Sequence, residues 1–215
     1  MANHVYSYWQ LHQANDEAKA YFKEFTIHVN NSAEENDNFL MLEFLYQEKR
    51  PENEDEHWQW FIDRVGSKWI TVEDVYDEEL SMTTAWDSPD SLFEKLVENL
   101  KAIDPNVQLT MSYEDEMPNF VGIWYYNGEN DDLDCEHFAS EHYEQLLGSD
   151  MELEDEQLIK KYELDESNED AVWEKRSELR DDFWELWHHE QARIIAEVMT
   201  KWEEEDDPIE NMIVN

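Results

Sequence analysis

Period-two alternation marks the first element. From His4 to Gln10 aromatic and β-branched side chains alternate with polar ones, the pattern of a strand with one buried face. Asn15 can cap a helix, and Ala18, Phe22, Phe25 and Val29 follow at three- and four-residue steps, so a helix is predicted from Asp16 to about Val29. The polar run Asn30–Asn38 predicts an acidic loop. Phe39–Tyr46 is apolar at almost every position, and periodicity leaves a buried strand and a short buried helix both open. Pro51–Glu56 reads as a charged loop and His57–Val65 as a short helix stopped by Gly66.

Two strands are predicted next, Trp69–Tyr76 and Leu80–Trp86, around the acidic turn Asp77-Glu78-Glu79. Ser88-Pro89-Asp90 opens a helix with Leu92, Phe93, Leu96, Val97 and Leu100 as its buried stripe, and Asp104-Pro105-Asn106 ends it. Val107–Tyr113 and Asn119–Tyr126 are strands, the second followed by the turn signal Asn127-Gly128. Beyond it the pattern is helical: Glu136–Leu147, Glu152–Leu164, and one long helix, Asp165–Asp207, ended by Pro208. Its apolar stripe is Val172, Leu179, Phe183, Leu186, Trp187, Ile194, Val198 and Trp202. The class expected is α+β: an antiparallel sheet with packed helices in residues 1–130, then an all-helical extension, 131–215. Asn119–Tyr126 is apolar on both faces and calls for a second cover, which Phe183, Leu186, Trp187 and Ile194 are expected to supply.

Charge changes the picture most. The 215 residues hold 56 Asp+Glu against 15 Lys+Arg, a formal net charge of −41. Residues 1–130 carry 27 acids against 8 bases, and 131–215 carry 29 against 7, so the extension is the denser in charge. Ten Trp, ten Tyr and nine Phe argue against wholesale disorder. Lys and Arg occur at most in pairs, which excludes a phosphate-binding basic stripe, so no direct nucleic-acid binding is expected. The natural partner of such a surface is basic, and basic surfaces are characteristic of nucleic-acid-binding proteins. No apolar run reaches the length of a membrane span, the opening MANHVYSYWQ is unlike a signal peptide, and a single cysteine, Cys135, suits a reducing compartment. These features place the protein in the cytoplasm, away from membranes.

Catalytic and metal-binding patterns are weak. Glu185-x-x-His188, with His189 beside it, has half of a di-iron helix motif, and Glu54-x-x-His57 falls in a loop. Asp132, Asp134, Glu136 and Glu144 form an imperfect calcium-loop pattern in which His137 stands where glycine is needed. Cys135 lies two residues from His137, but the acids around it oppose a thiolate. No metal, no cofactor and no catalytic residue is assigned, and a non-enzyme is expected.

WFIDRVGSKW (60–69), TAWDSP (84–89) and NFVGIWYYNGE (119–129) resemble the YubB-like family of plasmid- and phage-borne proteins. Asp87, Asp90 and Val121 depart from the family pattern, and residues 131–215 lie outside it. The resemblance implies a ferredoxin-like antiparallel sheet for residues 57–130 and a mobile-element setting, and it carries no catalytic residues. With the charge, it leads to an expected function: an acidic nucleic-acid mimic that inhibits a basic nucleic-acid-binding host protein, such as a restriction or CRISPR effector. The partner-binding residues expected are the row Asp170, Glu174, Glu178 and Asp182, the shorter row Asp181 and Glu185, and Trp184 as an apolar anchor. The alternative is a non-enzymatic interaction or assembly module that binds through the helical extension without mimicry. The oligomeric state is left open, a homodimer included.

Self-repulsion at this charge makes a direct prediction. Salt confines like-charge repulsion to about 8 Å at 0.15 M. The thermal midpoint at neutral pH should therefore rise as salt is added to dilute buffer, measured by circular dichroism. A midpoint indifferent to salt would mean that the acids are neutralised locally.

Overall fold

A computed structural model describes residues 3–116, 120–139, 150, 153–165 and 168–205. The chain divides into two compact units, Met1–His137 and Phe138–Asn215. The first is an α+β unit built on a six-stranded antiparallel sheet of order β2-β3-β1-β4-β5-β6. Its strands are β1 (His4–Gln13), β2 (Ile70–Val75), β3 (Glu79–Ala85), β4 (Gln108–Asp115), β5 (Phe120–Asn127) and β6 (Asp132–Ala139). The helices of this unit are α1 (Asp16–Glu35), α2 (Phe39–Tyr46), α3 (His57–Val65) and α4 (Asp90–Ile103), with a 3-10 turn at Glu54–Glu56.

β1 sorts its side chains by parity. Val5, Ser7, Trp9 and Leu11 are buried, and Tyr6 and Tyr8 point to the opposite face. Pairing continues the buried set across the sheet: Val5, Ser7 and Trp9 lie opposite Thr84, Met82 and Leu80 on β3 and opposite Asp115, Tyr113 and Met111 on β4. Phe22, Phe25 and Val29 of α1 and Phe93, Leu96 and Leu100 of α4 complete one core with this face, and Trp9 meets Phe93 edge to face at 5.4 Å.

Two expectations in this unit are corrected. The acidic loop after Val29 is helix as far as Glu35. Ser32 is buried on the face shared with Val29, and its Oγ accepts from the Met41 amide at 2.9 Å, so the polar residues are only the outer side of the helix. Asn36, in the left-handed region at φ 52°, ends it. The residues after Asn130 are not yet helix. Asp132–Ala139 is the sixth strand, and Asn127-Gly128 leads the chain from β5 into it. Its alternation of Asp132, Asp134 and Glu136 with Leu133, Cys135 and His137 is a strand period, but the segment lacks the β-branched residues that mark the other strands. Residues 140–149, the rest of the helix expected at Glu136–Leu147, lie outside the described residues.

The open choice at Phe39–Tyr46 resolves as helix. The Asp37 carboxylate accepts the Phe39 amide at 3.1 Å, and Arg50 bridges Asp37 and Glu43 while lying 4.7 Å from the Phe39 ring centre. A guanidinium that ties the middle of a short apolar helix to the residues ahead of it is invisible to periodicity.

The second unit contains α5 (Asp155–Tyr162) and α6 (Glu169–Glu205), the latter starting four residues later than expected; residues 206–207 lie outside the described residues. A capping box at Glu154 and Gln157 starts α5. Arg176 reaches Asp155 at 2.6 Å, and the Lys175 ammonium lies 4.3 Å from the Tyr162 ring centre, tying α6 to α5. Of the apolar stripe on α6, Val172 and Leu179 are half-buried and Leu186 is exposed; the side chains of Phe183, Trp187, Ile194, Val198 and Trp202 lie outside the described set.

Gly122 sits directly opposite Tyr113, and a Cβ there would overlap the phenol. Gly122→Ala should cost about 1–3 kcal/mol of stability, read from denaturant midpoints. With Tyr113→Ala, the combined cost should fall below the sum of the single costs. Strict additivity would mean that the ring does not need the space above Gly122.

Candidate functional site

Cations are scarce and almost all are engaged. Among the described residues, Lys19, Lys23, Arg50, Arg64, Lys95, Lys101, Lys161, Lys175, Arg176, Arg180 and Arg193 lie within 4.0 Å of a carboxylate. Lys68 lies 5.4 Å from the Trp86 ring centre. Two carboxylates per cation would still leave 26 of the 56 acids unneutralised.

The expected rows on α6 are on one helix and at its surface. Asp170, Glu174, Glu178, Asp181, Asp182 and Glu185 are all exposed, and four-residue spacing sets successive acids of a row about 5–6 Å apart. The rows are not uniformly anionic. Lys175 pairs with Glu178 at 2.9 Å, Arg180 approaches Asp181 at 4.0 Å, and His189 approaches Glu185 at 4.0 Å. The Trp184 side chain lies outside the described residues. Trp173, which the sequence did not single out, is 70% exposed beside Glu174. An exposed tryptophan in an acidic helix face is the more informative aromatic.

A second surface was missed altogether. None of the six strands contains a lysine or an arginine. On the face turned away from α1 and α4, β1 shows Tyr6 and Tyr8, 43% and 39% exposed. Glu114 lies directly opposite Tyr6 on β4, and Thr83, opposite it on β3, donates to Glu73 at 2.9 Å. Tyr8 has Ser81 and Ser112 as neighbours and bonds Glu79; partial burial and that carboxylate push its phenol up to about 12. Exposed Tyr76 stands at the β2–β3 turn. Only cross-strand register brings these residues together, so no local pattern in the sequence could reveal them.

The remaining polar cluster centres on the buried Tyr113. Tyr113 Oη lies 2.9 Å from His137 Nδ1 and 3.5 Å from Cys135 Sγ. Asp90 accepts from Ser88 Oγ and from Trp124 Nε1, and burial pushes its carboxyl up. Burial also pushes the Cys135 thiol up, which opposes nucleophilic chemistry. His57, from the Glu54-x-x-His57 pattern, bonds the Pro51 carbonyl oxygen at 2.8 Å. Among the described residues no three His, Cys, Asp or Glu converge on a position suited to a metal ion. No described helix is long and apolar enough to cross a membrane.

Compared with protein-family models, curated proteins and solved structures, the chain matches none.

The raised Cys135 thiol makes this cluster testable. At pH 8 less of it is thiolate than in free cysteine, and it is half-buried, so iodoacetamide should alkylate it several-fold more slowly than a free thiol. A rate equal to or above that of free cysteine would show an activated thiol instead.

Proposed function

We propose that this protein is an acidic nucleic-acid mimic, a non-enzymatic inhibitor that occupies the nucleic-acid site of a basic host protein such as a restriction or CRISPR effector. The observation that carries the reading is the imbalance of charge: cations are engaged in internal pairs, while strands β2, β3, β4 and β6 and the exposed side of α6 present carboxylates. Duplex DNA carries one charge per ~1.7 Å of axis. Acids one helical turn apart have a comparable spacing to phosphates along one strand, and a helix of 37 residues extends that pattern over about 55 Å. The resemblance to YubB-like proteins supplies the mobile-element setting. A ferredoxin-like core is part of the same proposal, since β2-β3-β1-β4 with α1 and α4 on one face has the β-α-β-β-α-β order that arrangement requires.

A second reading has its own support. Trp173 is exposed to 70% on α6, and such an aromatic favours a protein-interaction module whose binding depends on burial rather than on charge.

One experiment separates the two. A basic partner captured from host lysate is offered the protein and a duplex of ~20 base pairs in competition. The mimic reading expects displacement by duplex. It also expects the combined reversal Glu174→Lys, Glu178→Lys, Asp182→Lys to weaken binding by more than about tenfold, since a distributed field fails only when several charges change. If duplex does not compete and Trp173→Ala abolishes binding while the triple reversal does not, the interaction-module reading replaces it.

A further inference from the structure

Tyr6 and Tyr8 are the two large aromatic side chains that β1, a central strand, exposes on the face away from the helices. Aromatic residues on a sheet face can stack nucleic-acid bases, but that use needs cations for the phosphates, and no strand here carries one. What surrounds the rings is anionic. Glu114 stands beside Tyr6 on β4, Glu79 is bonded to Tyr8, and Glu73 reaches over Thr83 on β3. A phenol face next to a carboxylate is complementary to a guanidinium, which stacks on the ring and forks to the acid.

The repeat of this unit adds a second constraint. Residues two apart on a strand are about 6.8 Å apart, so the two rings repeat at that distance along β1, with Glu114 beside Tyr6 on β4 and Glu79 reaching Tyr8 from β3. An extended peptide presents alternate side chains at the same spacing. We propose that this sheet face docks an extended segment of the basic partner, with arginines at alternate positions stacked on Tyr6 and Tyr8 and paired with Glu114 and Glu79. The inference rests on the reading of the protein as a ligand of a basic protein and names the chemistry of the segment bound. A second copy of this chain does not suit the face, because two such surfaces would bring like charges together.

The test uses the full chain and a fluorescein-labelled peptide, (Arg-Gly)4, with (Lys-Gly)4 as its counterpart, followed by anisotropy at 0.15 M salt. Both peptides carry the same charge, so a diffuse field treats them alike, whereas ring stacking favours arginine. The arginine peptide should bind several-fold more tightly than the lysine peptide. Tyr6→Thr with Tyr8→Thr keeps β-favouring residues in the strand and should weaken the arginine peptide about tenfold, two stacking contacts of ~0.5–1 kcal/mol each. Glu79→Gln with Glu114→Gln removes charge without removing packing and should also weaken it. No binding of the arginine peptide, equal binding of the two peptides, or a Tyr variant within about twofold of the parent overturns the proposal. Duplex competition plays no part here, so the docking face and the mimicry reading can fail independently.

Discussion

Like-charge repulsion is the constraint on which the rest of the structure depends. A chain with 56 acids and 15 bases cannot neutralise itself, so its few cations are placed where they hold elements together. Arg50 ties Glu43 of α2 to Asp37 ahead of the helix, Arg64 pairs with Glu48 and lies over Trp60 and Tyr46, and Lys101 of α4 pairs with Asp131 in the β5–β6 turn. In the second unit Lys161, Lys175 and Arg176 perform the same work around α5. Several of these cations also lie on aromatic rings, which gives each one a second contact. These cations fasten elements together, while Lys95, Arg180 and Arg193 pair within their own helices.

Aromatic residues supply the other half of this arrangement. Repulsion lowers stability, and the core answers it with large side chains: Trp9, Phe22, Phe25 and Phe93 are fully buried, and Trp60 is nearly so. That explains how so acidic a chain folds at all. Other aromatics, Tyr6, Tyr8, Tyr76 and Trp173 among them, are exposed, and Tyr6, Tyr8 and Trp173 stand beside carboxylates. Under the proposed function, the same two residue classes serve stability inside and recognition outside. A partner that uses both must offer cations able to stack, which is the chemistry of arginine.

The sequence disclosed whatever depended on local spacing. The stripes of α1 and α4, the strand β1 and the acid rows of α6 follow from periodicity and lie where expected. It concealed whatever depended on long-range neighbours. The second half of β6 falls in the helix expected from Glu136, because no residue of Asp132–Ala139 is β-branched and only pairing in the sheet fixes its strand. α1 seemed to stop at Val29 because Asn30 and Asn31 are polar, while the buried Ser32 that continues it gains its partner only when α2 folds back. The surface of Tyr6 and Tyr8 needed the pairing of β1 with β3 and β4.

The central claim is that unneutralised charge is what a partner recognises. The most direct test is the dependence of affinity on salt for a captured basic partner, measured by calorimetry from 50 mM to 0.5 M. Surface charges act over about 8 Å at 0.15 M and less at higher salt, so the logarithm of the affinity should fall steeply and steadily as salt rises. An affinity that stays flat across that range would contradict the account and assign recognition to burial of the exposed aromatics alone.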